Sequence, residues 1–143
     1  MTNWFECSIN YEKMQENGTQ KKVTEPYLVD ALSFTEAETR IMEEMKPYIT
    51  GEFTVKSIKR AKISELFLDK DGDKFFKVKV SFVTLDDKSG NERKTSTYMI
   101  VQALNIENAR MRIEEEMKGT LSDFVIEELK ETKLMDVFPY IVS

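Results

Sequence analysis

From Gln20 to Lys46 the chain reads QKKVTEPYLVDALSFTEAETRIMEEMK, and from Glu92 to Lys118 it reads ERKTSTYMIVQALNIENARMRIEEEMK. Shifted by 72, eleven of these 27 positions are identical: Lys22/Lys94, Val29/Val101, Ala31/Ala103, Leu32/Leu104, Ala37/Ala109, Arg40/Arg112, Ile41/Ile113, Glu43/Glu115, Glu44/Glu116, Met45/Met117 and Lys46/Lys118. The match runs on in both directions. At a shift of 71, Phe53 meets Phe124, Val55 meets Ile126, Ile58 meets Leu129 and Phe67 meets Phe138, while upstream Trp4 and Phe5 meet Phe75 and Phe76. A repeat this long has to be interpreted first, because each copy is one supersecondary unit. The expected organisation is a single domain over residues 1–143 made of two repeats, 3–70 and 74–140.

Residue patterns inside each copy supply its elements. Trp4 to Tyr11 alternates, with Phe5, Cys7, Ile9 and Tyr11 on one face, as in a half-buried strand. Asn17-Gly18 then marks a hairpin, and the chain returns along Lys22 to Ala31, with Val23, Tyr27, Val29 and Ala31 inward. Pro26 cannot donate to a ladder, which points to an edge or a bulge. Ser33 and Glu36 read as a capping box, and Asn105 takes the Ser33 position in the second copy. Ala37, Ile41 and Met45, like Ala109, Ile113 and Met117, recur every four residues and predict one buried stripe per helix. Lysine at each helix end, followed by Pro47 or Gly119, ends it.

The segment Phe53 to Phe67 alternates and then slips phase at Ile58, as a bulged or bent strand does. Phe75 to Thr84 is the clearest strand, with Phe76, Val78, Val80 and Phe82 inward and Lys77, Lys79 and Ser81 outward. The expected fold class is α+β: an internal duplication of a β-β-α-β unit, an antiparallel sheet with two helices on one side. Cut one strand later, the element order is similar to the modules paired in GyrI-like ligand-binding domains, a likeness of order alone.

Composition narrows the function classes. Hydrophobic content of 41% and charged content of 33% suit a folded chain in water. No stretch approaches the roughly 18 apolar residues of a membrane span, and MTNWFECS lacks the pattern of a signal peptide, so the expected location is the cytoplasm. The single Cys7 excludes an internal disulfide. With no histidine in the sequence, imidazole acid/base catalysis and imidazole metal ligation are excluded. No nucleophile, base and orienter can be placed together, so the chain is read as no enzyme, without cofactor or metal.

Three local features resemble chemistry and are better explained otherwise. DKDGD at 69–73 superficially looks like a calcium loop, but an EF-hand needs glycine sixth and glutamate twelfth. Here Gly72 is fourth and Val80 twelfth, and a turn is the expectation. The runs Glu43-Glu44 and Glu114 to Glu116 place adjacent carboxylates on different sides of a helix, as a solvated surface does. Cys7 alternates with core residues, which makes it a buried thiol.

The strand faces turned away from the helices carry Trp4 and Phe75, Pro26 and Tyr98, and Leu28 and Ile100 in register. Between Phe53 and Lys94 there are eleven basic and seven acidic residues, although the net charge is −5. Rings beside cations suit single-stranded nucleic acid, with bases stacking while ammonium groups track phosphates. On this expectation Trp4, Phe75 and Tyr98 stack bases, and Lys56, Lys59, Arg60, Lys77 and Lys79 contact phosphates. Two alternatives stand beside it. Apolar residues on both faces of a strand also fit packing, homodimerisation or a protein partner docked on that face or on the MDVFPY segment; and a small ligand could occupy a cleft between the repeats.

At NWFEC, QKKVTEPYLVDALSFTEAE, YITGEFTV, AKISELF, EEMKGT and MDVFPY, the chain resembles an uncharacterised family of small proteins encoded by gut bacteria and by their phages and mobile elements. The likeness covers essentially all 143 residues. That family has no established activity, so the resemblance implies context only: an intracellular accessory protein in phage or mobile-element DNA transactions.

Overall fold

The computed structural model describes residues 3–120 and 123–139, which divide into two units. One holds the described residues up to Lys62 together with those from Lys133 on; the other holds 63–132. The first unit contains β1 (Trp4–Met14), β2 (Gln20–Asp30), α1 (Phe34–Met45) and β3 (Phe53–Ala61). The second contains β4 (Glu65–Phe67), β5 (Lys74–Leu85), β6 (Glu92–Ala103), α2 (Ile106–Glu116) and β7 (Asp123–Glu131), after which β8 (Asp136–Phe138) belongs again to the first.

The mixed α+β class is as expected, with one correction. There are two four-stranded sheets, ordered β3-β1-β2-β8 and β4-β6-β5-β7, and each is mixed rather than antiparallel. In each, three long antiparallel strands are joined by a three-residue parallel one: β8 along β2, and β4 along β6. Residues 63–70, assigned from sequence to the first repeat, thus supply a strand to the second unit's sheet. Phe67 packs against the core of that unit, and Phe138 of β8 packs against the core of the first. Phe138 also stacks on Tyr27, with 5.8 Å between ring centroids.

Each hairpin is closed by the chemistry its turn residues dictate. Gly18 has φ 83° and Gly90 φ 71°, the left-handed region glycine enters without a Cβ penalty. In the first turn Asn17 Oδ1 accepts from the Thr19 amide at 3.1 Å; in the second Asp86 Oδ1 accepts from the Lys88 amide at 3.0 Å. Pro26 is tolerated because its carbonyl points away from β1, accepting the Met135 amide at 2.9 Å. Its nitrogen points the same way, so no bond to β1 is lost.

The expected bulge is present, and twice. The β1–β3 register shifts between Ser8 and Ile9, leaving Lys56 unmatched, and the β5–β7 register shifts between Lys79 and Val80, leaving Glu127 unmatched. A bulge lets a strand keep one face on the core while its twist increases. Here it lets Phe53 and Val55 on one side of it and Ile58 on the other all pack on one core.

The helices start as their cap residues dictate. The Ser33 hydroxyl accepts the Glu36 amide at 3.1 Å and Asn105 Oδ1 accepts the Asn108 amide at 2.8 Å, with Asn108 Oδ1 accepting the Leu104 amide in return. The return half expected from Glu36 is not made by its Oε1, which is buried with no hydrogen-bond partner among the described residues. Ala37, Ile41 and Met45 are buried in one core with Phe5, Cys7, Ile9, Tyr27, Val29 and Ala31. Ala109, Ile113 and Met117 are buried in the other with Phe76, Val78, Val80, Met99, Val101 and Ala103. At roughly 1.5–3 kcal/mol for each large apolar side chain fully buried, these stripes hold helix to sheet.

DKDGD is a turn. The Gly72 amide donates to the Asp69 carbonyl at 2.9 Å, and a Cβ on Gly72 would lie 2.6 Å from the Ala103 backbone nitrogen, so only glycine lets β5 begin so close to the end of β6. No helix among the described residues is long and apolar enough to cross a membrane.

Candidate functional site

Alternation on β5 and β6 sets the side chains on the sheet face turned from α2. Lys77 lies with its ammonium 4.6 Å from the Tyr98 ring centroid, a cation–π contact that covers the ring. Lys79 Nζ is 3.6 Å from Glu127 Oε2, and Lys94 binds the other oxygen, Oε1. The bulge places Glu127 between these two lysines. Hydrogen bonds from Lys94 and then Ser81, with the charges of Lys94 and Lys79, hold its carboxyl below the usual carboxylate range. Ser81, fully buried, shares a 3.0 Å hydrogen bond with Ser96.

The base-stacking residues are not presented as the sequence reading requires. Trp4 is 8% exposed and Phe75 3%, so neither ring is offered to a base. Their neighbours on the same faces, Leu28 and Ile100, are buried as well. Large apolar side chains are removed from water wherever the fold permits. Tyr98 is half-buried and already carries Lys77. The phosphate set divides too. Lys77 and Lys79 are engaged as above in the second unit, whereas Lys56, Lys59 and Arg60 belong to the first. Arg60 is on the helix side there, its guanidinium 5.4 Å from the Phe5 centroid and 5.9 Å from that of Phe34, while Lys59 stands opposite Glu6.

Four strands end the two sheets, and the long ones among them are β3 and β7, of nine residues each against three in β4 and β8. Among the described residues β3 is hydrogen-bonded as a strand only to β1, and β7 only to β5, so each presents a row of unpaired backbone groups. Their charges are opposite. Between Phe53 and Ser64 there are four cations, Lys56, Lys59, Arg60 and Lys62, and no acid; all four are exposed. Along β7 stand Asp123, Glu127, Glu128 and Glu131 with the single cation Lys130. Glu128 pairs with Lys130 at 3.2 Å and Glu131 with Lys74 at 3.7 Å, all well exposed to water.

A polar cluster that sequence reasoning missed lies in the first unit. Glu25, 8% exposed, accepts from the Tyr11 hydroxyl at 2.7 Å and from the Tyr27 hydroxyl at 3.2 Å, with Lys13 Nζ 3.7 Å away. Burial, then the Glu25 carboxylate, push the Tyr11 phenol up to about 12 and the Tyr27 phenol higher still. At the positions aligned with these by the 71- and 72-residue shifts stand Phe82, Thr97 and Met99; that mismatch between the aligned stretches was the available signal. An open cleft of about 550 Å³ adjoins it, lined by Asn10, Tyr11, Lys22, Glu52 and Phe53 among others. Two phenols and an ammonium satisfy Glu25, so the cluster is a self-contained hydrogen-bonded unit.

Asp69 of the turn is occupied as well: Arg112 Nη1 donates to its Oδ2 at 2.6 Å. Among the described residues no group of three or more cysteines and carboxylates is placed to hold a metal ion. No curated protein and no solved structure gives a significant match. One family profile matches residues 3–140, nearly the whole chain. The chain therefore belongs to the family described as a domain of unknown function, DUF4494.

Proposed function

We propose that this chain is a non-catalytic interaction protein whose binding elements are its two open edge strands, β3 and β7. The observation that carries this is that each nine-residue strand is paired along one side only. An added strand would satisfy the free backbone groups, and side chains at alternate positions would choose the partner. A photo-crosslinking amino acid at Thr54 or Lys56, and at Glu128, is expected to give discrete protein adducts in the producing cell, with none from Glu38 or Glu114 on the helices. Adducts from the helix positions alone would reject the reading.

A second reading has its own support in the exposed cations of β3, which have no acidic neighbour from Phe53 to Ser64. They suit a phosphate backbone, now without base stacking by Trp4 or Phe75. Single-stranded DNA retention that falls steeply with salt, is lost in Lys56→Glu/Lys59→Glu, and leaves Trp4 fluorescence unchanged is its expected signature. Retention at low salt that ignores this double substitution would remove it.

Two broader inferences go with the function. Matching strand order, matching bulges at Lys56 and Glu127, and matching caps support descent of the two units from one duplicated β-β-α-β ancestor. The sequence likeness to proteins of gut bacteria and their mobile elements, with a lone unpaired cysteine, supports an accessory role in the cytoplasm.

A further inference from the structure

Building on the edge-strand reading, we propose that the partner is a second copy of this chain: β3 of one molecule pairs with β7 of the next, head to tail. Three observations converge. The two strands have the same length, nine residues each. Each is the terminal strand of a four-stranded sheet and carries its bulge at the matching position. Counted on the strands themselves, their charges are complementary: Lys56, Lys59 and Arg60 give β3 three positive charges, and the four acids of β7 less Lys130 give three negative, with Glu127 also paired to Lys79 and Lys94, and Glu131 to Lys74, on β5 and β6.

Charge also decides which edges can pair. A twofold contact of one edge with itself would set β3 against β3 or β7 against β7, placing like charges opposite each other, which is destabilising. The heterologous pairing sets a strand of net positive charge against one of net negative charge. Charged edges commonly guard against unwanted strand addition, and these two each repel themselves. Neither repels the other, so among the pairings of these two long edges the mixed one is left unguarded. A heterologous contact of this kind closes into a ring or continues as a chain.

Sedimentation velocity on the intact protein tests this. At low ionic strength the expected result is a concentration-dependent series of oligomers that collapses to monomer in high salt. Lys56→Glu/Lys59→Glu makes both edges acidic and Glu128→Lys/Glu131→Lys makes both basic; each alone is expected to weaken association by roughly tenfold or more. Mixing the two variants restores it, because each then meets a complementary edge. All four substituted positions are exposed, and unchanged circular dichroism and melting confirm folding. A monomer at every concentration in low salt overturns the proposal, as does association that both variants retain. If the chain is monomeric yet edge crosslinks reach another protein, self-pairing fails while the edge-strand reading stands; if those crosslinks are absent too, both fail.

Discussion

At the scale of single residues, Cys7 and the Tyr11–Glu25–Tyr27 cluster report on how dry the first unit's core is. Cys7 is fully buried, and burial, aided by the nearby Glu6 carboxylate, raises its thiol to about 11. Since the thiolate is the reactive form, an aromatic disulfide reagent is expected to leave Cys7 untouched in the native protein and to titrate one thiol in denaturant. The Tyr11–Glu25–Tyr27 cluster makes a pH prediction. Tyr11 ionises near 10.0 when solvated and at about 12 in the fold, so above pH 10 the unfolded chain loses a proton the native one keeps. Its contribution is intact below 10 and is lost as pH rises toward 12. Tyr27 moves in the same direction. Tyr11→Phe should flatten the fall in stability over that range in alkaline denaturation curves, at the cost of one of the partners of Glu25.

Between elements, two arginines 72 positions apart, Arg40 and Arg112, do matching work. Arg112 on α2 binds Asp69, just after β4, and Arg40 on α1 donates to the Asp30 carbonyl and to the Pro139 carbonyl, just after β8, at 3.2 Å. Each helix thus ties down the segment that follows a three-residue strand too short to hold by its ladder alone. Arg112→Ala is expected to cost about 1 kcal/mol in urea denaturation, discounted for partial exposure of the pair. Helices, hairpins and the phase slip at Ile58 were legible because each rests on local spacing or a cap within a few residues. The short strands were not. Ile63 to Phe67 and Leu134 to Phe138 repeat one another, but nothing local in SELF or DVF names a partner so distant in sequence. The face set also misled: alternation correctly put Trp4 and Phe75 opposite the helices, yet it cannot distinguish an exposed face from a covered one, and their burial could only be seen in three dimensions. The basic run of β3 was legible as composition; that it forms an edge was not.

For the whole molecule, the crossing of the chain between units governs how damage spreads. Phe67 follows β3 in sequence but packs in the core of the second unit, and Phe138 follows β7 but packs in the first. Phe67→Ala should therefore speed amide exchange mainly in β5 and β6, and Phe138→Ala mainly in β1 and β2, each at a cost of about 2 kcal/mol for a half-buried ring. Exchange that loosened the sequence-adjacent strands instead would contradict the pairing of β4 and β8.

The same crossing imposes a schedule on biosynthesis. Residues 63–132 form one contiguous stretch that can close its sheet as it leaves the ribosome, whereas the sheet begun by β1 must wait, missing a strand, until Asp136–Phe138 has been translated. During that interval the outer rim of β2 stands open to stray pairing, so the sheet begun first is the one completed last.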